Sequence, residues 1–307
     1  MTNQLTIKGD ITVPGINVSN GKINSVTFHP AEEGTGLVFL VNKEYIHATL
    51  YNACRSSYFG FGSFILLKGL RKRAHQVEHL LSAPYALGID NLVIELSDDF
   101  CPTTENCTEE FFQALKSARQ EQSLEKEFWV YKLGSNQREG PRTEIRSNSG
   151  KKSDTVTVSP SSGFYVVSYV YYPHRVIGPQ IHRFEINEEN YQEDIMKARS
   201  PAFIPDRFRK RLFLSLQKRG YIGINERNYL WILSKDADQY GNPEGYGVRY
   251  KGQEFVRHKV LDVLGTLALT GAHFKDTEFS FYMTGHEFDL YALRELFRMR
   301  VFKKSAI

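Results

Sequence analysis

The run Glu254-Phe-Val-Arg-His-Lys-Val-Leu-Asp262 sets His258 and Asp262 four residues apart, among apolar residues (Phe255, Val256, Leu261, Leu264) that recur at helical spacing. Residues four apart lie on one face of a helix. The spacing predicts a helix over 253–269 that presents an imidazole and a carboxylate together. That pair is two-thirds of a catalytic zinc site, which takes three protein ligands and keeps one position open. A second segment, His75-Gln-Val-Glu78-His79, offers the third ligand and a candidate base. Together the two segments suggest a zinc hydrolase.

Around them the chain alternates strands and helices. Val26 and Phe28 alternate with polar residues, and 36–41, 63–69 and 91–96 are short apolar runs of strand type. Helices are expected over about 74–87, from an N-cap at Thr108 through Leu115, and from an N-cap at Asn187 through Ala198. A basic helix is expected over about 205–219, ended by Gly220. Strands are expected at 155–160, 163–172, at NYLWIL and at TEFSFYMTG, then a last helix with Leu290, Leu293, Leu296 and Phe297. The stretch 134–154 has almost no apolar residues and reads as an exposed loop. The pattern is α+β or α/β. The domain boundary falls near residue 125, giving domains 1–125 and 126–307.

Composition excludes several classes. Among 307 residues, no apolar run reaches the roughly 18 a membrane span requires. Three scattered cysteines make no disulfide framework and fit free thiols in a reducing compartment. The N-terminus shows no basic start followed by an apolar stretch, so a cytoplasmic protein is expected. A net charge of +4 is too mild to indicate nucleic acid. It permits an anionic substrate or a loose contact with an anionic membrane surface. A monomer is expected.

Taken alone, HxxEH at 75–79 matches the inverted zinc-peptidase motif, with His75 and His79 as ligands and Glu78 as base; a surface histidine after Arg71-Lys-Arg73 is the bland alternative. The collinear segments point elsewhere. VEHLLSAPYALGIDNLVIEL (77–96), EFVRHKVLDVLG (254–265), the NPEG segment before it, YPHRVIGPQ (172–180), KARS (197–200), TGH (284–286) and NGKINSVTFHPAEEGTGLVF (20–39) fall in the order of one family. The chain resembles the zinc-dependent UDP-3-O-acyl-N-acetylglucosamine deacetylases of lipid A biosynthesis over most of its length.

The resemblance implies a two-domain α+β fold, each domain a layered sheet-and-helix sandwich, with a βαβ-type insert at about 201–233 in the second. It implies His79, His258 and Asp262 as zinc ligands, with His75 outside the set. Glu78 would take a proton from the zinc-activated water. Ser200, after Ala198-Arg199, would give a hydroxyl to the oxyanion in place of the family's threonine. His286 would stabilise charge or protonate the leaving amine, and Lys259 would add positive charge beside the site. The implied substrate is a nucleotide-sugar or acylated amino sugar, UDP-3-O-acyl-N-acetylglucosamine first.

Four features depart from the family pattern. Thr266 stands where an aspartate pairs with the catalytic histidine, so His286 should be cationic less often unless a carboxylate such as Glu287 substitutes. Met283 replaces a lysine associated with the diphosphate. DDFCPTTENCTEEF (98–111) replaces the IMDGSA signature. The insert has gained Arg207, Arg209, Lys210, Arg211, Lys218 and Arg219, while Phe203, Phe208, Leu212 and Leu216 can form an apolar face or simply a local core. These departures keep two other readings open: a deacetylase for a different N-acetylated sugar or specialised metabolite, and a catalytically silent zinc-binding protein.

Overall fold

A computed structural model describes residues 2–58, 62–105, 107–132, 142–147, 153–172, 177–203, 207–225, 227–232 and 247–305. Most of 134–154, the NPEG segment at 242–245 and the PHRV segment at 173–176 lie outside the described residues. The fold is mixed α+β, with six helices among the described residues: α1 (Val77–Ala86), α2 (Glu109–Ala118), α3 (Glu188–Asp194), α4 (Arg207–Lys218), α5 (Glu254–Ala268) and α6 (His286–Arg298).

Two five-stranded sheets share one plan. The first runs Ile11–Ile16, Ile23–Pro30, Leu92–Leu96, Leu37–Val41, Glu44–His47 in spatial order. The second runs Thr143–Arg146, Thr155–Pro160, Thr277–Tyr282, Phe164–Tyr172, Gly178–Glu185. In each, every pairing is antiparallel except one: the last strand in sequence pairs in parallel with the third. In each, a helix precedes that last strand (α1, then α5) and another follows it (α2, then α6). The halves are thus built twice to one topology, which no sequence repeat betrays.

Helices α1 and α5 pack against one another between the layers. All fifteen residues of α5 are buried, and so are eight of the ten in α1. A helix buried all round cannot show a clean amphipathic stripe, because both faces meet protein. One hydrophobic core runs through both halves, from Val26 and Phe28 through Leu80 and Leu264 to Phe279 and Phe281.

Between the fourth and fifth strands each half carries an extra unit. In the first it is a small antiparallel sheet of Ala53–Tyr58, Gly62–Lys68 and Arg73–His75. In the second, Ser200–Phe203 and Tyr229–Ile232 pair in parallel across α4, which makes the unit βαβ. No named strand before Lys126 pairs with one after it among the described residues.

Several local expectations shift. The helix expected from 74 begins at Val77, because Arg73–His75 is a strand pairing with Leu66–Lys68 and Gln76 turns the chain at φ 61°. Thr108 precedes α2 but makes no side-chain cap; its hydroxyl donates to Met196 O at 3.0 Å. Thr143–Arg146 is a strand inside the stretch read as loop, held as the sheet's edge by Thr155–Pro160. Asn187 does cap α3, accepting from Asn190 N at 2.9 Å, but the helix ends at Asp194. Arg119–Glu125 is a strand the polar sequence RQEQSLE does not announce; it pairs with Asn3–Ile7. No described helix is long and apolar enough to cross a membrane.

Candidate active site

The N-terminal turn of α1 carries Glu78 and His79, and the middle of α5 carries His258 and Asp262. Gly265 lets the two helices meet: a Cβ there would stand 1.9 Å from Glu78 O. This approach converts ligands far apart in sequence into one cluster. His79 Nε2 lies 3.2 Å from Asp262 Oδ1, and His258 Nε2 lies 3.4 Å from the same oxygen. All three donor atoms fall within 4.8 Å of one another, a group able to hold a metal ion. A tetrahedral zinc with bonds of about 2.0–2.1 Å has ligand-to-ligand edges of about 3.3 Å. The two measured edges fit it.

Two further observations suit a cation. Asp262 Oδ1 is buried among the two imidazole nitrogens and makes no well-formed hydrogen bond, which is costly for a carboxylate unless something positive meets it. The electrostatics agree. Burial works against charge at Asp262, but His258, His79 and His286 together hold its carboxyl well below the usual range. Burial also works against a proton on His79, yet Asp262 raises that ring's pKa. His258 goes the other way, lowered chiefly by burial. The negative field that draws a proton to His79 also favours a metal cation there.

The rings are aimed from behind. His258 Nδ1 donates to Ala198 O at 2.9 Å, which leaves the Nε2 lone pair facing the cluster. His79 Nδ1 lies 3.4 Å from the Gln76 side-chain amide, which also meets Tyr229 Oη at 3.1 Å. Ala198 sits in a short connection fastened to α5. The Arg199 guanidinium, 1% exposed, pairs with Glu254 through Nε at 2.8 Å and a terminal nitrogen at 3.0 Å. The next residue, Ser200, places Oγ 3.0 Å from His258 Nε2 and 3.3 Å from His79 Nε2.

Glu78 is 1% exposed and accepts from Ile65 N at 2.9 Å. Burial pushes its carboxyl above the ordinary range, against the pull of His286 and His79. His286, the first residue of α6, places Nε2 3.8 Å from Glu78 Oε1 and 4.0 Å from Asp262 Oδ2. These groups line a cleft of about 300 Å³ with Val18, Phe64, Tyr172, Ile224 and Phe255 on its apolar side.

The model of the UDP-3-O-acyl N-acetylglycosamine deacetylase family, LpxC, matches residues 4–298. The chain belongs to the LpxC family. Similar relatives each carry the name UDP-3-O-acyl-N-acetylglucosamine deacetylase. One from Thermodesulfovibrio yellowstonii is 30% identical over 274 residues, covering 88% of this chain and 84% of the relative. One from Coxiella burnetii is 28% identical over 305 residues (96% and 90%), and one from Campylobacter lari 29% over 299 (96% and 92%). At these identities this is a divergent LpxC-family chain.

Not every residue that the LpxC-family resemblance implied joins the cluster. His75 stays out of the cluster: its ring stacks on Phe100 with centroids 4.5 Å apart, away from the donor atoms. Lys259 is near the cleft, but its ammonium is taken up by a buried ion pair with Asp289. Thr266, where the family expects an acid, donates to Asp262 O at 2.9 Å. Glu287 does not substitute: it is exposed, and His286 Nδ1 is buried without a hydrogen-bond partner. In the insert, Leu216 packs inward as expected, but Leu212 is 44% exposed and Phe213 takes the buried position. The Phe203 and Phe208 side chains lie outside the described residues.

Sequence reading passed over Asp289, Gln76, Tyr229 and the Arg199–Glu254 pair. Each acts through a contact across the fold, and only the helical phase of Asp289, three residues after His286, hinted at a shared face.

Proposed function

We propose that the chain is a zinc-dependent amide hydrolase that removes acetate from an N-acetyl amino sugar, UDP-3-O-acyl-N-acetylglucosamine first among substrates. The observation that carries this reading is the convergence of His79, His258 and Asp262, with Glu78 and His286 against the same cluster. Three ligands leave a tetrahedral site one vertex short, as a catalytic centre requires.

When bound, zinc would acidify a water and polarise the acetamide carbonyl. Glu78 is the base of the reading: burial raises its proton affinity, which suits a group that takes a proton and passes it on. Ser200 Oγ, beside both ring nitrogens, is placed to donate to the oxygen that gains charge. His286, with Nε2 3.8 Å from Glu78 Oε1, is the group of this reading that protonates the leaving nitrogen. The apolar side of the cleft suits an acyl chain.

One observation favours the second reading, a different N-acetylated sugar. Lys259 is the only Lys or Arg among the described residues lining the cleft, and Asp289 neutralises it. A diphosphate would find less charge-assisted binding there.

Acetate release by the zinc-loaded protein decides between them. The first reading expects release from UDP-3-O-acyl-N-acetylglucosamine and little from an N-acetyl sugar lacking the acyl chain. The reverse preference establishes the second. Release no faster than that of a Glu78→Gln variant on every acetamide leaves only zinc binding.

A further inference from the structure

Helix α4 and the turn after it are not used by the hydrolytic centre. From Arg207 to Asn225 the chain holds six Lys or Arg residues and no acid. At about 100° per residue, the described side chains divide sharply. Phe213 and Leu216 face inward onto Val18, Phe64, Ile222 and Ile224. Val18, Phe64 and Ile224 also line the cleft, so the inner face of α4 backs the cleft's apolar side.

On the outer face Arg211, Lys218 and Arg219 are exposed within an arc of roughly 100°. Leu214 and Leu212 flank that arc at 37% and 44% exposure. Tyr221, just past the helix, is 60% exposed. The turn at Gly21 abuts the helix end, since a Cβ there would stand 2.4 Å from Gly220 O. Lys22 and Ile23 follow it, Ile23 at 85% exposure. None of Lys22, Arg211, Lys218 and Arg219 makes an ion pair among the described residues.

We propose that this face docks on a lipid bilayer carrying anionic headgroups. Cations alone would suit any polyanion. Tyr221 can stack on a nucleobase, but exposed Leu212, Leu214 and Ile23 gain little from a polyanion in water and gain apolar contact where an acyl layer lies beneath the charges. The contact is with the surface, since no described helix is long and apolar enough to span. Docking would turn the wall of the cleft's apolar side toward the membrane.

The test is flotation of the whole protein with vesicles of phosphatidylcholine alone and of phosphatidylcholine with phosphatidylglycerol, without substrate. Its failure therefore leaves the proposed function standing. Binding is expected only to the anionic vesicles. Lys218→Gln and Arg219→Gln should each weaken it roughly fivefold, about 1 kcal/mol per surface charge. Leu212→Ser with Leu214→Ser should weaken it further at unchanged charge. All four positions are exposed, so the variants should fold, checked by circular dichroism. Equal binding to neutral vesicles overturns the proposal. So does binding untouched by the charge variants, or a leucine variant that binds like wild type while single-stranded RNA competes fully.

Discussion

Gly265 and Glu78 touch backbone to backbone: the glycine's missing Cβ would overlap the Glu78 carbonyl at 1.9 Å and its Cα at 2.7 Å. The two halves of the metal cluster sit on the two helices so joined. Gly265→Ala gains about 1 kcal/mol in helix propensity, but the clash is with backbone, which no rotamer relieves. Overpacking of this kind costs about 1–3 kcal/mol or more. The variant should melt lower and lose metal affinity at least tenfold, because separation of α1 and α5 pulls His79 from Asp262. Unchanged zinc titration in a destabilised variant would show that the cluster does not depend on this contact.

Glu78→Gln keeps the shape of the side chain and its hydrogen bond from Ile65 N. It removes a carboxyl whose ionised form burial disfavours. The variant should therefore melt no lower than wild type and retain zinc by elemental analysis. Acetate release should fall about 10²- to 10⁴-fold, the usual worth of a general base. Activity within a few-fold of wild type would remove Glu78 from the chemistry.

What the sequence made legible follows from the range of the interaction. His258 and Asp262 were readable because a helix fixes residues four apart on one face. Pairing them with Glu78-His79 needed the resemblance, since nothing local says that α1 and α5 meet. The need for glycine at 265 was invisible for the same reason. Lys259 read as a free cation because Asp289, thirty residues on, neutralises it only after α6 folds onto α5. The strand Arg119–Glu125 was missed because its exposed polar residues carry no period-2 signal. Arg73–His75 vanished into a helix because three residues are too few to display a period.

Arg199 and Glu254 form a buried pair that anchors the connection carrying Ala198 and Ser200. Glu254→Ala leaves the Arg199 charge buried and unmatched, so a loss of about 3–5 kcal/mol is expected. Replacing both with methionine should recover much of that stability in urea unfolding. Activity should stay low in the double variant, because Ser200 Oγ and the Ala198 carbonyl that orients His258 have lost their anchor. Full activity in the stable double variant would make the pair purely structural.

His75 gives a pH test that also separates two metal assignments. Its ring stacks on Phe100, its Nδ1 is buried without a partner, and burial first, then the Arg73 charge, lowers its pKa from 6.5 to about 4. The unfolded chain takes up this proton as pH falls through about 6.5, and the folded protein only near 4. The neutral ring's contribution to stability is therefore complete above about 6.5 and is lost as pH falls toward 4. Asp99 runs the other way: burial and its neighbour Asp98 push it up to about 6, so its contribution is present in acid and fades as pH rises. The readout must then be the difference between His75→Phe and wild type. That variant should be at least as stable at neutral pH, and its advantage should grow by roughly 1–2 kcal/mol toward pH 4, water screening the rest. It should also keep its zinc, since His75 lies outside the cluster of His79, His258 and Asp262. Parallel stability curves would mean that the ring titrates normally, and loss of zinc would return His75 to the ligand set of an inverted peptidase motif.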